Sequence, residues 1–360
     1  MTKKLWFQTG IATLIALLIV KYFMEIYWIF NPIIIIFKTI LIPLILGGVL
    51  YYVSVPLQRL LEKRGMPRWG SLVTIIILLI GIIAGLGLLV GDPISKQVNR
   101  LVENAPFLAD KIEDAAEFIK ENRDNLPPQV EDFIDNVVSS VQSVTVSATK
   151  WIYAFISGAV SATFTLILVP FFFIFMLKDH EKFAPNIYGK FSGERRAWVK
   201  KTLEDIDRVL SSYVQGQVLI SFILAVMMLV GYLVIGLEYA LLLAIFAFFM
   251  NMIPFIGPWI SLAPAVVVAV VSPDPLNVVW VCVITLAAQQ IESNFITPNI
   301  MGKSLDIHPL TVISLVLAAG NIAGFIGIII AIPTYAVLKV IVTNIYNQRK
   351  KIREAANKNV

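Results

Sequence analysis

The side chains best suited to handle a polar solute or an ion form one short run. It reads Gln289-Gln290-Ile291-Glu292-Ser293-Asn294, with Thr297 and Asn299 close behind. Glu292 is the only ionisable group in it. A carboxylate can exchange a proton for a cation, and neighbouring amides can hydrogen-bond either occupant. The run closes an apolar stretch, 276–292, and an ionisable residue in a membrane segment is a functional candidate by default. The competing reading is a Glu that caps a helix end at the interface, since the stretch places it at shallow depth. Further polar candidates are Asn251, Asn321, Asp306 and His308. His308 precedes Pro309, where a turn role competes with proton handling. Lys21 and Glu25 stand four apart and suit a local ion pair. Lys38 can snorkel, and Glu238 and Asp274 read as boundary charges.

Other chemistries lack their residues. No His-Glu-x-x-His and no Cys/His cluster occurs, so no metal site is expected. Gly302-Lys303-Ser304 resembles the end of a P-loop, but position 297, where the motif needs Gly, is Thr. No Gly-x-Ser-x-Gly elbow is present. With two histidines in the chain, a covalent enzyme is not expected, and neither is a cofactor. The single Cys282 lies in an apolar run and excludes an intramolecular disulfide.

These residues must be positioned by membrane helices. Of 360 residues, 58% are hydrophobic and 15% charged, with mean hydropathy +0.81. Soluble domains carry about 25% charged residues, so a soluble globular protein is excluded. The net charge of +5 does not point to nucleic acid, because the basic residues flank apolar runs. Spans are expected at 5–29, 33–55, 71–91, 151–177 and 212–236, with Pro32, Pro56 and Pro93 marking helix ends. The positive-inside rule puts Lys3 and Lys4, the 56–69 loop, the 178–208 segment and the tail after Tyr346 in the cytoplasm. The 92–150 segment, with 11 acidic and 6 basic side chains, falls outside. Its apolar residues recur at helical spacing on both sides of Pro127-Pro128, which predicts two amphipathic helices.

The expected organisation has six parts. Residues 1–91 hold three transmembrane helices, 92–150 an extracytoplasmic helical insert, and 151–177 a fourth span. Residues 178–211 form a cytoplasmic interfacial helical segment, 212–345 a transport core, and 346–360 a basic cytoplasmic tail.

Within the core, 239–272 is broken by Pro254-Phe255-Ile256-Gly257-Pro258, and 309–343 by Gly320, Gly324, Gly327 and Pro333. If each is a re-entrant hairpin, one from each face, the basic tail returns to the cytoplasm as its charge demands. The fold class is therefore all-α, a polytopic helical membrane protein with about eight membrane segments. Two of these are re-entrant hairpins of opposite orientation. Irregular backbone survives at membrane depth only where protein buries it or where it lines a watered cavity. Paired broken segments are the best sequence pointer to a transport site. The alternative at each break is a packing kink. The candidate site is Asn251, Pro254, Gly257, Pro258, Gln290, Glu292, Asn294, Asn321, Gly324 and Gly327.

The C-terminal residues also carry a resemblance. They include Ile253-Pro254-Phe255-Ile256-Gly257-Pro258 with Pro264, Gln290-x-Glu292-x-Asn294, and Pro298, Gly302 and His308-Pro309. Gly320-x3-Gly324-x2-Gly327-x5-Pro333 closes the set, and Tyr213-x2-Gly216-Gln217 lies upstream. In this combination the chain resembles the autoinducer-2 exporter family of bacterial membrane proteins over essentially its whole length. The resemblance implies a multispanning transporter of the bacterial cytoplasmic membrane. It also implies a homo-oligomer, a pentamer, with the hairpins in an elevator-like mobile part. Members are assigned to export of the quorum signal autoinducer-2 or to sodium/proton antiport.

Three functions follow. The first is secondary export of a small polar solute. The second is sodium/proton antiport, with Glu292 alternating between proton and cation. The third is a membrane scaffold whose 92–150 insert recruits a partner.

Overall fold

The computed structural model describes residues 5–121, 163–274, 276–302 and 307–358. The second amphipathic helix expected after Pro127-Pro128 and the start of the fourth span lie outside these residues, as do Lys303 and Asp306. The described chain is all helical, with no strand. Its elements are α1 (Leu5–Glu25), a 3-10 turn (Tyr27–Phe30), α2 (Asn31–Lys63), α3 (Arg68–Glu121), α4 (Thr163–Tyr188) and α5 (Gly193–Val234). They continue with α6 (Ala240–Met250), α7 (Gly257–Val271), α8 (Leu276–Ile291), a π turn (Glu292–Ile296), α9 (Thr297–Met301) and α10 (Pro309–Lys358). Five helical stretches are long and apolar enough to cross a membrane: 39–63, 68–100, 193–234, 276–301 and 326–350. Large apolar side chains cover the outside, Leu88 at 85% and Val234 at 80% exposure among them. A monomeric soluble protein does not tolerate such a surface, but a bilayer does. The protein is a multi-pass membrane protein.

Pro56 and Pro93 do not end helices, contrary to the sequence expectation. Pro56 lies inside α2, and α3 runs through Pro93 to Glu121. Proline deprives the carbonyl four residues earlier of its donor. For Pro56 that carbonyl belongs to Tyr52, and the Gln215 side chain of α5 donates to it at 2.8 Å. A donor from a distant helix thus replaces the missing ladder bond and lets α2 continue.

Two bodies flank α5. On one side α2, α3 and α4 share a core of Tyr51, Val55, Leu72, Ile75, Phe173 and Leu177. Gly47 is essential to its closeness, because a Cβ there would come 2.8 Å from the Phe172 Cβ. Small residues at such crossings let helices approach where no hydrophobic effect drives them together. Arg68 at the start of α3 pairs with Glu181 of α4 and closes this body at one end. On the other side, α5 to α8 share a core containing Leu224, Met228, Tyr232, Leu243, Ala265 and Val281.

Candidate substrate-binding site

The site is built against the middle of α5. Tyr213, Gly216, Gln217, Ile220, Ser221 and Leu224 are all buried on it, at the three-and-four spacing of a single helix face. After Val234 the chain turns, with Tyr239 in the left-handed region (φ 58°), and α6 runs back along α5. It stops at Asn251, level with Gln217 and Ser221.

A helix C-terminus leaves carbonyls without intrahelical donors. Here the Gln217 amide donates to the Asn251 carbonyl at 2.6 Å, and the Asn251 side-chain amide reaches the Ser221 hydroxyl at 3.5 Å. Asn251 is fully buried by this clasp. The segment that follows turns through Phe255, a non-glycine residue at φ 66°. Left-handed geometry costs such a residue about 1–2 kcal/mol, so the packing around the tip must hold it. Pro258 then opens α7, at a helix start where its missing N–H costs nothing. Gly257 crosses the end of α6 so closely that a Cβ would sit 2.0 Å from the Met250 carbonyl oxygen.

The second break repeats this geometry. α10 is helical to Ile322, leaves helical angles at Ala323 (φ −133°, ψ 15°) and Gly324 (φ 62°, ψ −146°), and then resumes. Its two arms fold against each other. A Cβ on Gly327 would come 2.1 Å from the Ala319 carbonyl oxygen, and Gly320 lies against Ile328. In each hairpin a left-handed residue precedes, by two or three positions, a glycine pressed on the carbonyl of the first arm.

The hairpins enter from opposite ends of α5. The first starts at its C-terminal end. The second arm of α10 runs towards its N-terminal end, where the Asn344 side chain donates to Thr202 (3.3 Å) and Asp205 (3.1 Å), and Trp198 donates to the Asn344 carbonyl (3.2 Å). The first tip packs against both arms of the second. Ile253 of the first tip, Val312, Val316, Ala331 and Ile332 of the second hairpin, and Tyr213 form one buried cluster. Ile256, Met301, Ala319 and Ile328 pack around it. The structure thus brings Asn251, Pro254, Gly257 and Pro258 to the same place as the hairpin of Gly324 and Gly327.

The helix that carries Glu292 does not end there but continues, and 276–301 as a whole is long and apolar enough to cross a membrane. Ile284 of α8 lies against Gly231, and Met301 of α9 against Gly216. Glu292 therefore falls between these levels, near the middle of the apolar part of α5. The π turn is what carries the helix past it. π turns insert one residue into a helix and are frequent at functional sites. The Gln289 amide donates to the half-buried Glu292 carboxylate at 2.7 Å. Asn294 folds back onto Gln290, donating to its carbonyl at 2.9 Å and its side-chain oxygen at 3.0 Å. Gln290, Ser293 and Asn294 are exposed at this depth.

Among the described residues no hydrogen bond joins this polar turn to Asn251. Asn321 is exposed beside the second tip, where its amide donates to the Leu317 carbonyl of its own helix at 3.0 Å. His308 accepts from the Leu310 N–H at 3.3 Å, which is a turn contact at the start of α10. Among the described residues no group of three or more His, Cys, Asp or Glu side chains could hold a metal. The arrangement offers amides, one carboxylate and helix ends, groups that bind and release. Sequence reasoning missed Ser221 and Gln215. Only their three-dimensional partners mark them, because a Gln or Ser within an apolar helix looks like any tolerated polar residue.

The family model described as "AI-2E family transporter" matches residues 11–347. "Putative transport protein YueF" of Bacillus subtilis is 31% identical over 354 residues, covering 95% of each chain. "Putative transport protein YrrI" of the same organism is 30% identical, covering 93% of this chain and 95% of that protein. "Putative permease PerM" of Escherichia coli K12 is 26% identical, covering 85% of this chain and 87% of that protein.

Proposed function

The chain belongs to the AI-2E family of transporters, and from that premise we propose that it exports a small polar signalling solute, such as autoinducer-2, by secondary transport. The observation that carries this reading is the packing of the first hairpin's tip, through Ile253, against both arms of a second broken segment that enters from the other end of α5. Backbone freed from helices at mid-membrane can contact a solute that needs several hydrogen bonds. In this reading Asn251, Pro254, Gly257 and Pro258 form one wall, and Gly324, Gly327 and Asn321 the other. Gln290, Glu292 and Asn294 supply polar contacts on the route. The protein sits in the bacterial cytoplasmic membrane with both termini cytoplasmic and works as a homo-oligomer, a pentamer by the family's pattern.

A second reading is sodium/proton antiport. It is favoured by Glu292, a carboxylate at mid-span with an amide partner and exposed polar neighbours. Ionisable residues at that depth mark proton and ion pathways.

One experiment separates the two. Purified protein is placed in liposomes with a pH-sensitive dye inside, and a sodium gradient is imposed on wild type and Glu292→Gln. The exporter reading expects no sodium-driven pH change, and efflux of labelled autoinducer-2 from loaded vesicles. A pH change in wild type that disappears in Glu292→Gln makes the protein an antiporter. Absence of both activities in folded protein refutes both readings.

A further inference from the structure

Between α2 and the hairpins lies a groove of about 380 Å³, within the usual size range of ligand pockets. One wall is α2, from Leu41 to Tyr52. The other is α5 and the second arm of α10, from Ile329 to Leu338. Met252, the residue after Asn251, and Gln217 also line it. The groove therefore touches the first hairpin just past the end of α6. Its rim opens sideways, since Leu44 and Leu338 are 39% and 54% exposed. The three helices that line it, α2, α5 and the second arm of α10, are all among the stretches long and apolar enough to cross a membrane.

The occupant follows from the lining. Apart from Tyr52, Tyr213, Gln217 and Thr334, every lining residue is apolar or glycine. The Tyr52 hydroxyl donates to Asp207 at 3.3 Å, and Gln217 is committed to the Asn251 carbonyl. A water needs two to four polar partners, and apolar cavities stay dry. The medium at the rim of a membrane span is hydrocarbon. We infer that the groove is a lipid site, occupied by the acyl chain of a membrane phospholipid that enters beside Leu44 and Leu338 and reaches the first hairpin just past the end of α6. The chain fills a gap between α2 and the site-bearing hairpins, so membrane lipid touches the hairpin that carries Asn251. The inference does not depend on which solute is carried.

The test is spin-label accessibility on the full chain in phospholipid vesicles. In a Cys282→Ser background, Ile45→Cys and Val337→Cys place labels on opposite walls of the groove. Leu88→Cys, far out on α3, is the lipid reference, and Glu194→Cys at the exposed start of α5 is the aqueous one. Each variant is first required to be monodisperse with a wild-type melting point. At both groove positions, collisions with oxygen should exceed those with a water-soluble nickel complex by the same several-fold ratio as at Leu88. Nickel-dominated collisions, as at Glu194, would overturn the proposal and make the groove a water path. Low collision with both probes would also overturn it and show protein, such as a second copy, filling the space. A phospholipid with a photoreactive acyl chain gives an independent reading. Its crosslinks to α2 and α10 should fall several-fold in Val49→Trp, which enlarges a side chain that lines the groove. Unchanged crosslinking in that variant would count against the site.

Discussion

Alanine at position 257 puts a methyl carbon 2.0 Å from the Met250 carbonyl oxygen, whereas ordinary contact begins at 3.4 Å. The arms of the first hairpin must part by more than an ångström at their tip. The obstructing atom is backbone, so no side chain can swing away. Overpacking of this kind costs about 1–3 kcal/mol. Two tip bonds pass through the same atoms: Ile253 N–H to the Met250 carbonyl and Gly257 N–H to the Ile253 carbonyl, both at 2.9 Å. Weakening each adds up to about 1 kcal/mol. The expected cost of Gly257→Ala is therefore about 2–4 kcal/mol, enough to shift a local equilibrium by roughly 30- to 1,000-fold. The assay pairs the thermal midpoint in detergent with transport in vesicles. Gly85→Ala is the control, because it lies in α3 with nothing within 4 Å. That change should be neutral or stabilising by up to about 1 kcal/mol from helix propensity. Gly327→Ala should behave like Gly257→Ala, since its Cβ meets the Ala319 carbonyl oxygen at 2.1 Å. If Gly257→Ala matches both wild type and Gly85→Ala in midpoint and in transport, the close crossing is not a constraint and the matched-hairpin geometry is wrong.

Other perturbations address the supports of the site. Gln217→Leu leaves the buried Asn251 carbonyl without its donor and should cost about 1–3 kcal/mol, read as a lower melting midpoint together with reduced transport. Asn344→Ala removes the bonds to Thr202 and Asp205 and should cost about 1–2 kcal/mol, with easier proteolysis of the C-terminal end of α10. Gln215→Leu should cost about 1–3 kcal/mol in the native chain but little in a Pro56→Ala background, where residue 56 regains the N–H that Tyr52 lacks. A coupling energy near zero in that double-mutant cycle would show that Gln215 does not compensate for Pro56.

Much of the core was legible because proline and glycine act locally. Pro254, Gly257 and Pro258 cannot all belong to one regular helix, and Gly324 with Gly327 signalled the second break in the same way. Charge placement then required that both hairpins return to the side they left, and α5 shows them entering from its opposite ends. The misreadings have the opposite cause. Pro56 read as a helix end because the residue that rescues it, Gln215, is 159 positions away. A helix end is expected at Glu292 because a cluster of polar residues normally ends an apolar run. A π turn that keeps the span going through such a cluster has no compositional mark. Local rules therefore locate where the backbone must break, but they cannot show which breaks a distant donor repairs.

That distinction gives α5 its role. Gln215 and Gln217 stand two residues apart, and side chains at that spacing point to opposite sides of a helix. Gln215 donates to the carbonyl freed by Pro56 on α2. Gln217 donates to the carbonyl left open where α6 ends at Asn251. Each amide satisfies a backbone group that lipid could not, at a cost otherwise of several kcal/mol. One helix thus ties the α2–α4 body and the first hairpin to itself within a single turn. The groove between those two bodies opens directly beside these bonds, with Tyr52 and Gln217 both in its lining. Any movement of the first hairpin relative to α2 must break one of these two amide bonds or bend α5 between them. Loss of the Gln217 bond would loosen the tip that carries Asn251. Loss of the Gln215 bond would loosen α2 and leave the tip intact. Transport should therefore respond more steeply to Gln217→Leu than to Gln215→Leu when the two lower the melting midpoint equally. Equal loss of transport would mean that the two bodies move as one.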